Sequence, residues 1–246
     1  MNTLNEIFQN CRNIVFDINY TAAKKWKQQD SKRVLVGIIP NFFPREIIHA
    51  ANGLAVGIVG DEFKVPQNTK NNLSSYQACG MYSGILDLVK NDKIDGFDGF
   101  LLPSRCDTLE AINDINKISD KCKFVKYINF PQYFHTVIGD ILNQHFVQGI
   151  LDEIFKINGV KVNTESLNYS IGLYKNNLKL TEKIYSLSMK FPEKITQDEL
   201  YITVFSCLFM PIEEHNAILN SVIEILMEGM IERDDNAFKV YLGAYC

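Results

Sequence analysis

The sequence predicts an α/β protein in which a doubly wound, mostly parallel sheet is followed by a block of helices. Short apolar runs rich in β-branched residues alternate with helical patterns over the first half of the chain, and such runs suit strands buried on both faces. The second half shows helical patterns and no strand until residue 238. We therefore predict an α/β domain at 1–131, a helical region at 132–236, and a strand at 237–246 that would begin a second, truncated α/β domain.

The composition bounds the size of the core and the class of partner. The 246 residues, of which 46% are hydrophobic, suffice for one large domain with a real core. The net charge of -4 and the absence of a Lys/Arg block argue against nucleic acid and anionic membranes as partners. No apolar run approaches the roughly 18 residues of a membrane span, and residues 1–6 lack the features of a signal peptide. We expect a cytoplasmic protein.

The predicted elements follow from the spacing of apolar residues. Residues 4–29 repeat apolar side chains at steps of three and four, which is typical of one amphipathic helix. Pro44 suits the first position of a helix over Arg45–Asn52. Thr196 and Glu199 have the spacing of a capping box, which predicts a helix start at residue 197. The predicted strands are 33–39, 54–59, 97–102 and 124–128, and the later predicted helices are 132–157, 164–190, 197–208 and 211–233.

The most informative stretch is the turn after the third predicted strand. The apolar run ends at Pro103, and Cys106 then lies where the next helix should begin. A thiol at a helix N-terminus is close to free N–H groups and to the positive end of the helix dipole, which favour the thiolate. A thiolate binds a metal ion or an iron–sulfur cluster, whereas a Cys in an ordinary βα turn can also be a small filler residue. The spacing alone leaves both interpretations open.

The carboxyl ends of the predicted strands are the expected place for a ligand, because ligands of doubly wound sheets collect at this edge. The loops that would share the edge are 40–44, 60–64, 103–106 and 129–132.

The remaining Cys and His residues carry weaker signals. The six cysteines are scattered and form no C-x-x-C pair, so a reducing cytosol favours thiols or metal ligands over disulfides. Cys11, Cys122 and Cys207 occupy apolar positions and are predicted to fill space in the core. His49 is predicted to be a packing residue, and His215 to lie in the first turn of the last helix without a partner that the sequence identifies.

Several motifs resemble, in order, those of the 2-hydroxyacyl-CoA dehydratase and benzoyl-CoA reductase family. Residues 36–57, VGIIPNFFPREIIHAANGLAVG, are similar to the opening strand–helix–strand motif of that family. Residues 97–107, FDGFLLPSRCD, are similar to its Pro-Ser-x-Cys-Asp turn, and Cys79 lies where the family has its first cluster ligand. Three later segments also resemble family motifs: 128–132 (INFPQ), 173–177 (LYKNN) and 209–216 (FMPIEEHN). The resemblance spans residues 33–245.

The resemblance implies a flavodoxin-like fold for the α/β domain and a [4Fe–4S] cluster with Cys79 and Cys106 as ligands. It also suggests that Glu46 handles a substrate proton, although a first-turn carboxylate can instead serve only to stabilise its helix. Asn41 and Ser104 are the predicted substrate-binding residues, and Asn41 also suits an ordinary turn.

The implied activity is radical dehydration or reduction of an acyl-CoA by a subunit, or half subunit, of an anaerobic complex. The implied partners are the acyl-CoA substrate, a second dehydratase-type subunit and an ATP-dependent activator iron–sulfur protein. The cluster of the family is held by three cysteines, and the third belongs to the second α/β domain. Cys246 comes too early in the sequence to be assigned that place.

Two other interpretations stay open. The chain would be a non-catalytic relative that acts as an assembly or scaffold partner if it binds no cluster. It would be a double-cubane-cluster-type reductase if it had more cysteine ligands than the sequence allows us to place.

Overall fold

The α/β part is built on a sheet of parallel strands. The computed structural model describes residues 3–38, 43–59, 84–85, 88–89, 91–103, 120–128 and 137–228. Within these residues the strands are β1 (Val34–Ile38), β2 (Gly53–Gly57), β3 (Gly99–Pro103) and β4 (Phe124–Ile128), in the spatial order β2-β1-β3-β4. All neighbouring strands are parallel, with Val34 opposite Gly53 and Gly99 opposite both Val36 and Phe124. The predicted α/β fold with a parallel sheet followed by helices is confirmed.

The helices of the described residues follow the predicted spans closely after residue 137. They are α1 (Leu4–Val15), α2 (Thr21–Gln28), α3 (Arg45–Ala50), α4 (Val137–Asn158), α5 (Thr164–Lys190), α6 (Gln197–Phe205) and α7 (Ile212–Met227), with a 3₁₀ turn at Ser206–Leu208. The Thr196 hydroxyl accepts a hydrogen bond from the N–H of Glu199, and the Glu199 carboxylate accepts one from the N–H of Thr196. The predicted capping box at the start of α6 is thus confirmed.

The single helix predicted over 4–29 is wrong, because the chain breaks between Val15 and Thr21. Tyr20 has a left-handed backbone conformation with a φ of 53°. The Asp17 carboxylate accepts hydrogen bonds from the backbone N–H groups of Asn19, at 2.9 Å, and Thr21, at 2.6 Å. A short acidic side chain that binds nearby N–H groups competes with helical hydrogen bonding. This local competition ends α1 although the apolar spacing continues.

The two faces of the sheet are covered by different helices. Leu35 and Phe100 point to a core shared with Ala23 of α2. Val36 points to the opposite face, where Ile154 of α4 belongs to the same core. Because successive residues of a strand alternate between faces, the continuous apolar runs of the sequence produce both of these cores.

The first helix packs mainly on the helical region, although Ile14 and Val15 at its end also contact the core of the sheet. Ile7, Phe8 and Cys11 of α1 share a core with apolar residues of α5, α6 and α7, such as Ile184 and Leu219. The helix α3 packs on α5 as well as on β2, so it connects the sheet to the helical region.

Asp98 ties the strands together at the amino edge of the sheet, just before β3. Its buried carboxylate, 2% exposed, accepts a hydrogen bond from the N–H of Leu35 at 2.9 Å. The same carboxylate lies 2.8 Å from Nζ of Lys27 and 3.0 Å from Nζ of Lys123. Two cations and a backbone N–H thus compensate the loss of solvation of one buried charge.

None of the helices in the described part of the chain is both long and apolar enough to cross a bilayer.

Candidate functional site

The strands β1 and β3 lead the chain to the edge of the sheet where the sequence predicts a ligand. The helix α3 begins at Arg45 after β1, and β3 ends at Pro103, shortly before Cys106 in the sequence. Glu46 is the predicted site residue that the structure describes. The predicted site residues that lie outside the described residues are Asn41, Cys79, Ser104 and Cys106.

Arg45 fixes the start of α3 against the helical region. Its Nη1 donates a hydrogen bond to the Cys207 carbonyl oxygen at 2.7 Å, and its Nη2 donates one to the Cys207 sulfur at 3.5 Å. The guanidinium carbon lies 5.2 Å from the ring centre of Tyr174, within the range of a cation–π contact. These contacts join α3 to α5 and to the 3₁₀ turn that follows α6.

Glu46 is half-buried in the first turn of α3, next to Arg45 in the sequence. Burial raises the pKa of Tyr174 to about 12; the positive charge of Arg45 opposes this effect, and the negative charge of Glu46 adds to it. Tyr174 is therefore a neutral hydroxyl at pH 7 and able to donate a hydrogen bond. The guanidinium of Arg45, in the turn of α3 that also carries Glu46, thus contacts the ring of a neutral Tyr174, while proton transfer by Glu46 stays a prediction.

His49 does more than the packing predicted for it, because it joins α3 to two helices of the helical region. Its Nδ1 lies 2.7 Å from Oγ of Ser170 on α5, and its Nε2 lies 2.9 Å from Oε1 of Glu213 on α7. The hydrogen bond to His49 lowers the pKa of the Glu213 carboxyl, with burial opposing it. The position of His49 in the sequence carried no sign of this contact, since its partners follow more than a hundred residues later.

His215, for which the sequence identified no partner, is the centre of a buried hydrogen-bond network. Its Nε2 lies 2.9 Å from the Thr203 carbonyl oxygen, and its Nδ1 lies 2.6 Å from the Asn177 amide nitrogen, which also donates to Oδ1 of Asn216 at 2.8 Å. These partners require the tautomer with the proton on Nε2. Burial lowers the pKa of His215 to about 4, so the ring is neutral at pH 7. The network holds the end of α6 and thereby the 3₁₀ turn that presents Cys207 to α3.

The described cysteines lie in three different environments. Cys11 is fully buried in the helical core, as predicted, and burial raises the pKa of its thiol. Cys122 and Cys207 are only half-buried. Cys122 precedes β4 at the amino edge, and burial raises its pKa to about 11, whereas Cys207 lies beside Arg45.

An iron–sulfur cluster needs several thiolates at one place. Among the residues that the structure describes, no three His, Cys, Asp or Glu side chains are grouped so that they could hold a metal ion. Cys79 and Cys106, the predicted cluster ligands, lie outside the described residues, so their role stays a prediction.

Comparison with known proteins identifies the family. A family model described as "2-hydroxyglutaryl-CoA dehydratase, D-component" matches residues 40–243. The chain belongs to this family. The match confirms the family resemblance of the motifs. It covers α3, the sheet from β2 onward and the whole helical region.

The individual relatives of this chain are named as enzyme subunits. It is 28% identical over 245 residues to a benzoyl-CoA reductase subunit of Thauera aromatica, covering 98% of this chain and 62% of the relative. It is 22% identical over 203 residues to the beta subunit of (R)-2-hydroxyglutaryl-CoA dehydratase of Acidaminococcus fermentans, covering 82% and 53%. The beta subunit of lactoyl-CoA dehydratase of Anaerotignum propionicum is 24% identical over 211 residues, covering 85% and 54%. The chain thus spans 53–62% of the length of these relatives.

Proposed function

We propose that this chain is a subunit of a complex that dehydrates or reduces an acyl-CoA by a radical route, with Cys79 and Cys106 as ligands of a [4Fe–4S] cluster. The observation that carries the proposal is the family match over residues 40–243, which includes both cysteines. The three relatives are named for CoA esters and as subunits, which supports an acyl-CoA substrate and a second dehydratase-type subunit.

Cys79 and Cys106 would hold the cluster as thiolates, and the third thiolate would come from outside the pair. When bound, a cluster with one iron free of protein thiolates supplies an open position and an electron for the substrate. An ATP-dependent activator iron–sulfur protein is the proposed source of that electron. The turn after β3 is a suitable place for a ligand because it follows the carboxyl end of a central strand of the sheet.

Glu46 is the proposed proton carrier at this edge. Its side chain is half-buried and its carboxylate would accept a proton from the acyl-CoA, and the neutral Tyr174, whose pKa the charge of Glu46 helps to raise, is an available hydrogen-bond donor. Arg45 positions both groups, since it starts α3 and contacts the Tyr174 ring. Asn41 and Ser104 are the proposed substrate-binding residues of the neighbouring loops.

The test of the cluster is anaerobic purification followed by iron and sulfide analysis and an absorption spectrum in the visible region. We expect iron and sulfide in equal amounts in the wild type, and their loss in both Cys79→Ala and Cys106→Ala. The matched control is Cys122→Ala, which removes a half-buried thiol at the opposite edge of the sheet and should keep the cluster. Variants that retain the cluster would contradict the assignment of the two ligands. A wild type that stays colourless after reconstitution with ferrous iron and sulfide would contradict cluster binding by this chain alone and leave a site completed by the partner subunit, or an assembly role.

The role of Glu46 is tested by Glu46→Gln in the reconstituted complex with its activator. We expect the variant to keep its iron and to lose turnover of the acyl-CoA by about a hundredfold or more, because the carboxamide cannot take up a proton. Glu165→Gln, in the first turn of α5, is the control for loss of a first-turn carboxylate and should keep full turnover. Unchanged turnover in Glu46→Gln would remove this residue from the site.

A further inference from the structure

The outer side of α5 carries an apolar seam in addition to the side that is buried. Leu178, Tyr185 and Met189 are 60%, 47% and 69% exposed, and Leu167 and Ile171 are half-buried on the same side of the helix. The buried side is formed by other residues, namely Ser170, Asn177, Ile184, Leu187 and Ser188. The seam extends for about 33 Å along the helix, at 1.5 Å per residue from Leu167 to Met189. Its steps of four, seven, seven and four residues follow the 3.5-residue period of a helix–helix contact.

The seam is symmetric about Leu178. Ile171 and Tyr185 lie seven residues before and after it, and Leu167 and Met189 lie eleven residues before and after it. In two antiparallel helices related by a two-fold axis at Leu178, each residue faces the one at the same distance on the other side of the centre. Ile171 would then face Tyr185 of a second copy, Leu167 would face Met189, and the two Leu178 side chains would meet. Every apolar residue of the seam thus has an apolar counterpart.

The charged residues of the seam fit the same arrangement. Lys175 lies three residues before Leu178 and Glu182 lies four residues after it, and both are exposed. Within the described part of their own chain, neither side chain forms an ion pair. The antiparallel arrangement brings each Lys175 close to Glu182 of the other copy, whereas a parallel arrangement in register would leave the two residues seven positions apart along the helix axis.

From this complementarity we propose that α5 is a dimerisation helix, which pairs in the antiparallel direction with α5 of a second copy of this chain. The interface is isologous, with Leu178 on the axis and two Lys175–Glu182 pairs on either side of it. The proposal does not depend on the acyl-CoA chemistry, because the seam contains none of the predicted site residues.

Sedimentation equilibrium of the complete chain tests the dimer. We expect the wild type to dimerise and Leu178→Asp to raise the dimer dissociation constant at least about tenfold, because two carboxylates would meet on the axis. Ile138→Asp is the matched control, since it places the same charge at a 71% exposed apolar residue of α4, outside the seam. Circular dichroism of each variant checks that it is folded. A wild type that stays monomeric at about 100 μM, or a dimer insensitive to Leu178→Asp, would overturn the proposal.

A charge exchange tests the antiparallel direction. Lys175→Glu alone and Glu182→Lys alone each place like charges opposite one another and should weaken the dimer about tenfold. The double variant Lys175→Glu/Glu182→Lys restores opposite charges and should restore the wild-type dissociation constant. High salt should reduce the difference between single and double variants. Single variants without effect, or a double variant as weak as the single ones, would overturn this arrangement.

Discussion

His49 and Glu213 are 164 residues apart in the sequence and 2.9 Å apart in the structure, from Nε2 to Oε1. The contact joins α3, the first helix after β1, to the first turn of α7. The other ring nitrogen of His49 lies 2.7 Å from Ser170 on α5. The His49 side chain therefore connects α3 to two helices of the helical region.

Glu213→Gln should lower the free energy of unfolding at pH 7. The loss should be less than about 1 kcal/mol, because the Glu213 side chain is 47% exposed and the pair is screened by solvent. The pKa of Glu213 is lowered in the folded state, so the stabilisation exists above its ordinary value of 4.5 and disappears as the pH falls below it. Urea unfolding at several pH values should show the variant approaching the wild type in acid.

Glu214→Gln is the matched control for this pair. Partial loss of solvation and the neighbouring Glu213 raise the pKa of the Glu214 carboxyl, so its ionisation opposes folding at pH 7. We therefore expect Glu214→Gln to leave stability unchanged or to increase it slightly. Equal destabilisation by the two substitutions would contradict a specific role for the His49–Glu213 contact.

The burial of neutral His215 should make stability depend on pH between about 6.5 and 4. Its pKa falls from 6.5 to about 4 on folding, so the unfolded chain binds a proton in this range and the folded chain does not. The contribution is complete above pH 6.5 and decreases by about 3 kcal/mol as the pH approaches 4. His215→Gln should remove this slope and cost about 2 kcal/mol at pH 7 through lost hydrogen bonds. His145→Gln, at an exposed residue of α4, should keep the slope, and a His215→Gln protein with the wild-type slope would refute the assignment.

Asp98→Asn should destabilise the sheet by about 3 kcal/mol, because it leaves the ammonium groups of Lys27 and Lys123 without their shared buried partner. The carboxamide oxygen can still accept the hydrogen bond from the N–H of Leu35. The loss of stability therefore measures the effect of removing the negative charge. Chemical denaturation provides the measurement. Asp95→Asn removes a carboxylate that is 60% exposed and lies 3.5 Å from Lys121, and it should change stability by no more than about 0.5 kcal/mol.

Gly99→Ala should destabilise the start of β3. A Cβ atom at residue 99 would lie 2.2 Å from ring atoms of Phe124, so the strand or the ring must shift, at a cost of about 1–3 kcal/mol. Gly149→Ala in α4 is the control, because a Cβ there meets no atom within 4 Å and should stabilise the helix by about 0.5–1 kcal/mol. The midpoint temperatures of thermal unfolding of the two variants should therefore shift in opposite directions. Two shifts of the same sign would contradict this packing.

The parallel sheet and the later helices could be predicted because their signals are local. The run that became β1 is apolar, and the run that became β4 has one Lys among four apolar residues. Thr196 with Glu199 marks a helix start within four residues. The break after α1 was missed because a single carboxylate, that of Asp17, outweighs an apolar spacing that continues through it. The candidate site was predictable in part, because the turn after β1 places Glu46 at the carboxyl edge of the sheet independently of how the helical region packs.

The sequence by itself determined the fold class, the strands and the family. The apolar period and the helix caps depend on neighbouring residues, and the order of the motifs can be read directly along the chain. Only the tertiary structure decided which distant side chains meet. It placed Arg45 on Cys207, His49 on Glu213, and His215 among Asn177 and Thr203. The physical reason is that α3, α5 and α7 pack by burying apolar area, which has no direction, whereas hydrogen bonds form only after that packing has fixed the distances.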